Sequence, residues 1–393
     1  MKIEPKTRGF ICTTAHPIGC CANIKRQIDT VKNNPKTIGA KKVLVIGAST
    51  GYGLASRIAT AYSCDASTIG VIFDKPATET RCASAGWYNI AAFEEFAKAD
   101  GLYAKTINGD AFSKAIKDTT IDLIKKDLGK VDLVIYSLAS PRRTLPDSTT
   151  CSSVLKTTGE AYTNKTIDLK TKTISSITIP PATQEEIDDT IKVMGGEDWK
   201  DWIQALKVAD ALEENAVTVA YSYIGPTLTH AIYLNGSIGM AKKHLYNTAN
   251  EITNEIEGIT AYISVNKALV TQSSAAIPIV PLYISILYKI MKEKGIHEGC
   301  TEQMYRLFHE KLYVSNLILD EQGRFRLDDW EMREDIQSEI DKVWDTISDE
   351  TIENMSDIDG YWEDFYQMFG FNIPGVDYSQ DVNPQVQIPS ITD

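Results

Sequence analysis

Val43-Leu44-Val45-Ile46-Gly47-Ala48-Ser49-Thr50-Gly51-Tyr52-Gly53-Leu54-Ala55 decides how this chain is read. Its first four residues are apolar and mostly β-branched, the pattern of a buried parallel strand. Three glycines follow, spaced G-x-x-x-G-x-G, and Leu54-Ala55-Ser56-Arg57-Ile58-Ala59-Thr60-Ala61 resumes as helix. Strand, glycine turn and helix in succession make a dinucleotide site. The glycines let backbone approach the pyrophosphate, and the amides and dipole at the helix N-terminus hold it. Glycines alone would also suit an ordinary βα turn; the strand before and the helix after favour the cofactor.

Moving outward, a second strand reads at Thr68 to Phe73 and closes on Asp74, 21 residues after Gly53. An acid there accepts hydrogen bonds from the adenosine ribose and repels a 2′-phosphate, which favours NADH. Lys75 follows directly and works the other way, since a cation tolerates NADPH. A helix is expected from Asn89 to Asp100, and a third strand ends near Asn108. After a helix from Ser113 to Leu128 comes a fourth strand, Val131 to Tyr136. Four βα units in series predict an α/β fold with a doubly wound, Rossmann-like parallel sheet. Ligands of such sheets bind beyond the carboxyl ends of the strands, which places Leu138-Ala139 along the cofactor. Arg142-Arg143 either meets a substrate phosphate or is solvated.

The 393 residues carry a net charge of −13, with 43% hydrophobic and 24% charged residues. That balance argues against nucleic acid as a bulk partner. Seven dispersed cysteines without a C-x-x-C point to a reduced, cytoplasmic setting. Five scattered histidines offer no metal motif, because His309-Glu310 does not continue into H-E-x-x-H. Residues 1–6 lack a hydrophobic signal core. The longest apolar stretch, Ala275 to Met291, is interrupted by Pro278, Pro281 and Lys289 and reads as a buried helix, not a membrane span. Residues 1–40 form an extension expected to pack on the main sheet, with a short strand from Arg8 to Thr14, His16-Pro17 as a turn and a helix from Gly19 to Lys32.

From Cys151 to Thr183, Thr, Ser and Lys alternate with Ile and Val, which predicts an exposed hairpin inserted as a flap beside the site. Helices follow from Gln184 to Met194 and from Glu197, whose acids suit a helix start better than a catalytic pair. Ala216 to Gly225 is a strand running into a loop. Beyond it stand Tyr233 and Lys242. A lysine can hold the nicotinamide ribose and lower a phenol pKa, and the phenol can donate a proton as hydride arrives. Nine steps of about 100° would put the two on opposite faces of one helix. If both act, Tyr233 precedes the helix, Asn235-Gly236 turns the chain, and Ser237 caps the helix bearing Lys242. C-terminal to His297, Arg324 to Leu327 reads as strand and Asp328 to Glu331 as a helix start, with no catalytic motif.

The G-x-x-x-G-x-G spacing is that of short-chain reductases. Tyr233 and Lys242 form a Tyr-x8-Lys pair, and Tyr136-Ser137-Leu138-Ala139-Ser140-Pro141, Met194 to Trp199, Tyr221 to Gly225, Lys267 to Gln272, Gly360-Tyr361 and Gly375 to Tyr378 accompany it. On these residues the chain resembles the FabV-type enoyl-acyl-carrier-protein reductases and trans-2-enoyl-CoA reductases, one family of enlarged short-chain reductase relatives. Asp74 is the clearest variation, since glutamate is common there. The resemblance implies NADH-dependent reduction of the trans-2 double bond of an enoyl-CoA or enoyl-acyl-carrier-protein. It implies that Gly47, Ala48, Ser49, Thr50, Gly51 and Tyr52 hold the pyrophosphate, Phe73 and Asp74 the adenosine ribose, and Asp110 and Ala111 adenine. Leu138 and Ala139 lie along the cofactor, Lys242 holds the nicotinamide ribose, and Leu269, Val270 and Thr271 contact the nicotinamide. Tyr233 is the implied proton donor, Tyr223 contacts substrate near the thioester, and Ser273 to Tyr288 walls the acyl pocket. The implied oligomeric state is a monomer.

The expected organisation is one α/β domain over 1–393: a dinucleotide core at 41–150, the flap at 151–183, and the catalytic and pocket part at 184–393. Read from the residues alone, the chain is an NAD(P)-dependent reductase with a Tyr/Lys pair. A carbonyl reductase of the short-chain type and a non-enzymatic dinucleotide sensor are the alternatives, and retention of both Tyr233 and Lys242 speaks against the sensor.

Overall fold

A computed structural model describes residues 1–8 and 11–391. Seven strands form its central sheet: β1 Lys42–Ile46, β2 Ser67–Ile72, β3 Ala104–Asn108, β4 Val131–Tyr136, β5 Leu212–Ser222, β6 Ile259–Val265 and β7 Phe325–Arg326. Their order is β3-β2-β1-β4-β5-β6-β7, and every pairing is parallel. The sheet is therefore doubly wound, with the order reversing beside β1. Alternate side chains of β1 serve opposite cores, Val43 and Val45 one and Leu44 and Ile46 the other. Burial on both faces is why this strand reads as an unbroken apolar run rather than an alternation.

Helix α1 (Pro17–Lys32) precedes the sheet; α2 (Gly51–Ser63), α3 (Ala85–Ala99) and α4 (Lys114–Asp127) connect β1 to β4. Helix α1 of the extension packs chiefly on α2 and α3, and its Ile24, Ile28 and Val31 join the core that also holds Val43 and Val45 of the sheet. His16 is more than a turn residue: it is the N-cap of α1, and its Nδ1 accepts from the Gly19 amide at 3.2 Å. A Cβ at Gly19 would lie 1.6 Å from the Gly370 carbonyl oxygen, so glycine there lets the C-terminal segment cross α1. In the extension Thr7–Arg8 pairs antiparallel with Ile11–Cys12. The rest of the expected Arg8 to Thr14 strand includes residues 9 and 10, which lie outside the described residues.

Between β4 and β5 the chain adds two antiparallel ribbons and the helices α5 (Gln184–Met194) and α6 (Glu197–Val208). The first ribbon, Arg142–Thr144 with Thr150–Ser152, starts before Cys151, where the insertion was expected to begin. The second, Tyr162–Asp168 with Thr173–Ile179, is the hairpin foreseen from the Thr/Ser alternation. It is less free than that polarity suggests. Ile167, Leu169 and Ile179 are buried, and Asp349 accepts from the Ile174 amide at 2.7 Å. Lys165 reaches the Trp344 carbonyl, and Trp362 that of Leu169.

Helix α7 (Ser237–Glu255) joins β5 to β6, and α8 (Val280–Glu293), α9 (Cys300–Arg306) and α10 (Glu334–Thr346) follow. α8 is almost wholly buried, as its apolar run predicts. Asp328 to Glu331 does not begin a helix. The chain turns there, and α10 starts only at Glu334.

Candidate active site

The turn after β1 is shaped by close approach. Gly47 has φ +85° and a Cβ there would stand 2.2 Å from the Ser137 carbonyl oxygen; a Cβ at Gly53 would stand 1.9 Å from that of Gly47. Gly51 (φ +55°) instead faces open space. Thr50 is the N-cap of α2 but makes no side-chain cap bond, so the first-turn amides of α2 keep no partner from it. Helix-start amides without a side-chain cap, beside a Cβ-free surface, fit the pyrophosphate of a dinucleotide. Ala48 is buried, and Ser49 accepts from Asn89 through its carbonyl at 3.1 Å. Leu138 touches this turn, its Cδ2 lying 3.2 Å from where a Gly47 Cβ would be, and Ala139 is exposed beside it.

At the end of β2, Phe73 is 79% exposed, a large apolar face open to a ligand. Asn108 clamps the Asp74 backbone at both its amide (2.9 Å) and its carbonyl (3.0 Å), and Ser84 donates to the carboxylate at 2.7 Å. A Cβ at Gly86 would be 2.4 Å from that carboxylate, so Gly86 makes room for it. Asp110 accepts from the Phe112 amide, and the Ala111 carbonyl from Trp202 at 3.1 Å.

Tyr233 stands in the turns between Thr227–Thr229 and α7, before the helix that carries Lys242. Gly236, not Ser237, is the N-cap of α7. The Ser237 hydroxyl instead donates to the Val154 carbonyl and accepts from the Lys156 amide, pinning the turn to the inserted segment. Tyr223, Tyr233 and Lys242 line one cleft of about 770 Å³, together with Lys243, Arg324 and Arg326. The Tyr223 and Tyr233 rings meet edge to face at 4.7 Å between centroids. Lys242 donates to the Tyr221 carbonyl at 3.1 Å, and burial lowers its pKa to about 8. Burial, with Glu331 and Tyr361 near, pushes the Tyr233 phenol above its ordinary value. This corrects the expectation that Lys242 lowers it: no effect of Lys242 on this phenol emerges in the protein alone. A second cleft, of about 430 Å³, is lined by Thr50, Gly51 and Leu54 together with Leu269 and Val270. The glycine turn and the segment after β6 thus share one cavity; Thr271 follows, its amide bonded to Ser274. Tyr52 ties them further by donating to the Lys267 carbonyl at 2.7 Å.

Sequence reasoning missed Glu331. Its side chain is wholly buried and accepts from Tyr223 (3.0 Å), Tyr283 (2.7 Å) and the Ala268 amide (2.7 Å). Burial raises its pKa, while Lys267, the Tyr283 phenol and the Ala268 amide pull it back. Lys267 is itself buried, donates to the Ala268 carbonyl at 3.0 Å and lies over the Tyr288 ring. The one available signal was an acid a few residues after an edge strand of the sheet, and it was masked by the helix-start pattern Asp328-Asp329-Trp330-Glu331. Arg143 meets neither expectation made for it. It is buried, paired with Glu197 at 2.6 Å and Asp201 at 3.8 Å. Asp198 is buried against Lys117 and Tyr136, so those acids are structural. Among the described residues no His, Cys, Asp and Glu cluster could hold a metal.

Three family models match the chain in succession: "NAD(P)H binding domain of trans-2-enoyl-CoA reductase" over 2–79, "Trans-2-enoyl-CoA reductase catalytic region" over 81–313, and "Enoyl reductase FAD binding domain" over 319–382. The trans-2-enoyl-CoA reductase [NADH] of Ruminiclostridium cellulolyticum is 55% identical over 394 residues, and the enoyl-[acyl-carrier-protein] reductase [NADH] of Flavobacterium johnsoniae 58% over 395, each alignment covering 100% of both chains. The crystal structure of Clostridium acetobutulicum trans-2-enoyl-CoA reductase in complex with NADH superposes with a TM-score of 0.96 at 44% identity, and that of Treponema denticola with NAD at 0.94 and 46%, both covering 100% of each chain. The FAD in the third description does not fit residues 319–382. Among the described residues, β7 there is two residues long and leads into Leu327-Asp328 rather than a glycine turn, and Trp344, Tyr361 and Phe365 are buried in the core.

Proposed function

Because the chain belongs to the trans-2-enoyl-CoA reductase family, we propose that it reduces the trans-2 double bond of an enoyl thioester with NADH, as enoyl-CoA or enoyl-acyl-carrier-protein, in fatty acid biosynthesis. The observation that carries this reading is the convergence of Tyr223, Tyr233 and Lys242 on one cleft at the carboxyl end of the sheet. NADH, when bound, supplies the hydride for the β-carbon. The chain's residues do the rest. The amides at the start of α2 hold the pyrophosphate, with Gly47, Ala48, Ser49, Thr50, Gly51 and Tyr52 forming the turn. Phe73 and Asp74 receive the adenosine ribose, Asp110 and Ala111 the adenine. Leu138, Ala139, Leu269, Val270 and Thr271 flank the nicotinamide end, and Lys242 holds its ribose.

As hydride arrives, the electron pair of the double bond moves toward the thioester carbonyl and makes an enolate. In this reading the Tyr233 hydroxyl, which lines the same cleft as Tyr223 and Lys242, meets that charge, and its proton ends on the α-carbon as the thioester carbonyl re-forms. The phenol carries its proton at neutral pH, as a donor must; burial raises its pKa and makes it a weaker acid in the protein alone, so the charge developing on the substrate has to draw the proton off. Tyr223 is the less suited acid, because its proton already points at Glu331. Tyr223 therefore contacts the substrate near the thioester while Tyr233 donates.

Read this way, the chain is one α/β unit whose residues 41–150 carry the cofactor, with the 151–183 hairpin beside the site and 184–393 supplying catalysis and the acyl pocket. It acts as a monomer in the cytoplasm. Its free cysteines suit a reducing compartment, and no helix among the described residues is long and apolar enough to cross a membrane. Incubation with NADH and crotonyl-CoA tests the activity: loss of NADH absorbance matched by butyryl-CoA is expected. Turnover of ketones with no turnover of crotonyl-CoA would favour a carbonyl reductase; NADH binding without turnover of either would favour a sensor. Light scattering checks the monomer.

A further inference from the structure

Glu331 lies five residues past β7, and its carboxylate gathers groups that follow the next two strands of the sheet, β6 and β5. Tyr223 comes directly after β5, and Ala268 lies three residues past β6. Tyr283 adds a third donor from α8. The loops beyond these strands are where a doubly wound sheet binds its ligands. Gln337 closes the cluster, its amide donating to the Glu331 carbonyl at 2.7 Å and the Tyr283 hydroxyl at 3.2 Å. Three donors on two carboxylate oxygens satisfy an anion. Packing alone does not call for such a group, since apolar residues of similar volume often stabilise an interior as well or better.

We propose that Glu331 is a positioning residue for the reduction, holding the Tyr223 phenol on one oxygen and the Ala268 amide on the other. This rests on the reading of Tyr233 as the acid. By accepting the Tyr223 hydrogen bond, Glu331 turns lone pairs of Tyr223 toward the cleft and fixes its ring, which Tyr233 meets edge to face at 4.7 Å. Among the described residues no side chain competes for the Tyr233 hydroxyl. One tyrosine is thereby committed and the other left free to serve the substrate. The same carboxylate fixes the backbone that leads into Leu269 to Thr271, so the nicotinamide segment and the substrate tyrosines share one anchor.

Glu331→Gln keeps the volume but cannot keep every contact. With its oxygen toward the tyrosines, its NH2 meets the Ala268 N–H, donor against donor. Turned round, the NH2 faces the phenols and releases the Tyr223 proton. A double-mutant cycle with Tyr223→Phe isolates the positioning role. With crotonyl-CoA and NADH, Glu331→Gln should lower kcat on the order of 10-fold while the KM for NADH moves less, as expected for loss of an interaction made in the transition state. In the Tyr223→Phe background the same substitution should cost no more than about 3-fold, since the phenol it acts through is gone. An equal cost in both backgrounds, or no cost in either, overturns the proposal. If Glu331→Gln does not accumulate folded, the wild type still decides: proton NMR should show a slowly exchanging, downfield phenol resonance that disappears in Tyr223→Phe, and its absence from the wild type overturns the proposal. A wild type that binds NADH but does not reduce crotonyl-CoA would sink the functional reading instead, while the resonance would still report on Glu331.

Discussion

Removing the Tyr233 hydroxyl should stop chemistry without disturbing the fold, and removing the Lys242 ammonium should do something different. Because no described residue bonds the Tyr233 hydroxyl, Tyr233→Phe orphans no partner, and the ring keeps its edge-to-face contact with Tyr223. Stability should stay within about 0.5 kcal/mol. The missing acid should lower kcat on the order of 10²-fold, about 2.7 kcal/mol of barrier, with NADH affinity nearly unchanged. Lys242→Met removes a charged donor that meets only the Tyr221 carbonyl in the protein alone. Charge-assisted hydrogen bonds contribute about 1.5–3 kcal/mol, so NADH should bind roughly 10- to 150-fold more weakly. The apoenzyme should melt no lower, since burial already disfavours this ammonium. Titrating NADH by fluorescence and measuring steady-state turnover with crotonyl-CoA separates the two. Near-full turnover in Tyr233→Phe would refute the assignment of the acid. If Tyr223→Phe alone then abolished turnover, the acid would be Tyr223, and Glu331 would have to release its proton.

Asp74→Ser removes the charge facing a 2′-phosphate and should raise the NADPH/NADH ratio of catalytic efficiencies on the order of 10-fold, as loss of roughly 1–2 kcal/mol of repulsion at a half-exposed site implies; an unchanged ratio would make Asp74 a turn residue. NADH affinity of the free enzyme should weaken as pH rises through about 8, where Lys242 loses its proton, and Lys242→Arg should carry binding to higher pH. The linked stability runs the other way. This lysine's folded pKa lies below its ordinary value of 10.5, so the unfolded chain binds more protons between pH 8 and 10.5 and the group's contribution to stability rises with pH across that window. Asp349→Ala frees the Ile174 amide, and trypsin should then cut at Lys170 or Lys172 faster than in the wild type; equal rates would mean that the hairpin is held by its buried Ile167, Leu169 and Ile179 alone.

What the sequence determined by itself was local and repetitive. An apolar run between turn signals, read four times, is enough for a parallel sheet, because burial on both faces leaves no room for polar alternation. Gly47 and Gly53 announced the cofactor turn because backbone approach admits no Cβ there, and Gly51 because its φ of +55° favours glycine. The nine-residue spacing of Tyr233 and Lys242 required a turn between them, and Asn235-Gly236 supplied one. Tertiary structure decided the rest, through contacts between residues remote in sequence. Ser237 reads as a cap, yet Val154 and Lys156 claim its hydroxyl. Arg143 reads as exposed or phosphate-binding, yet Glu197 offers a partner inside the fold. Glu331 reads as one of several acids opening a helix. Its partners lie 108, 63 and 48 residues away, so only the folding of β5, β6 and α8 against one another turns that acid inward and gives it a role.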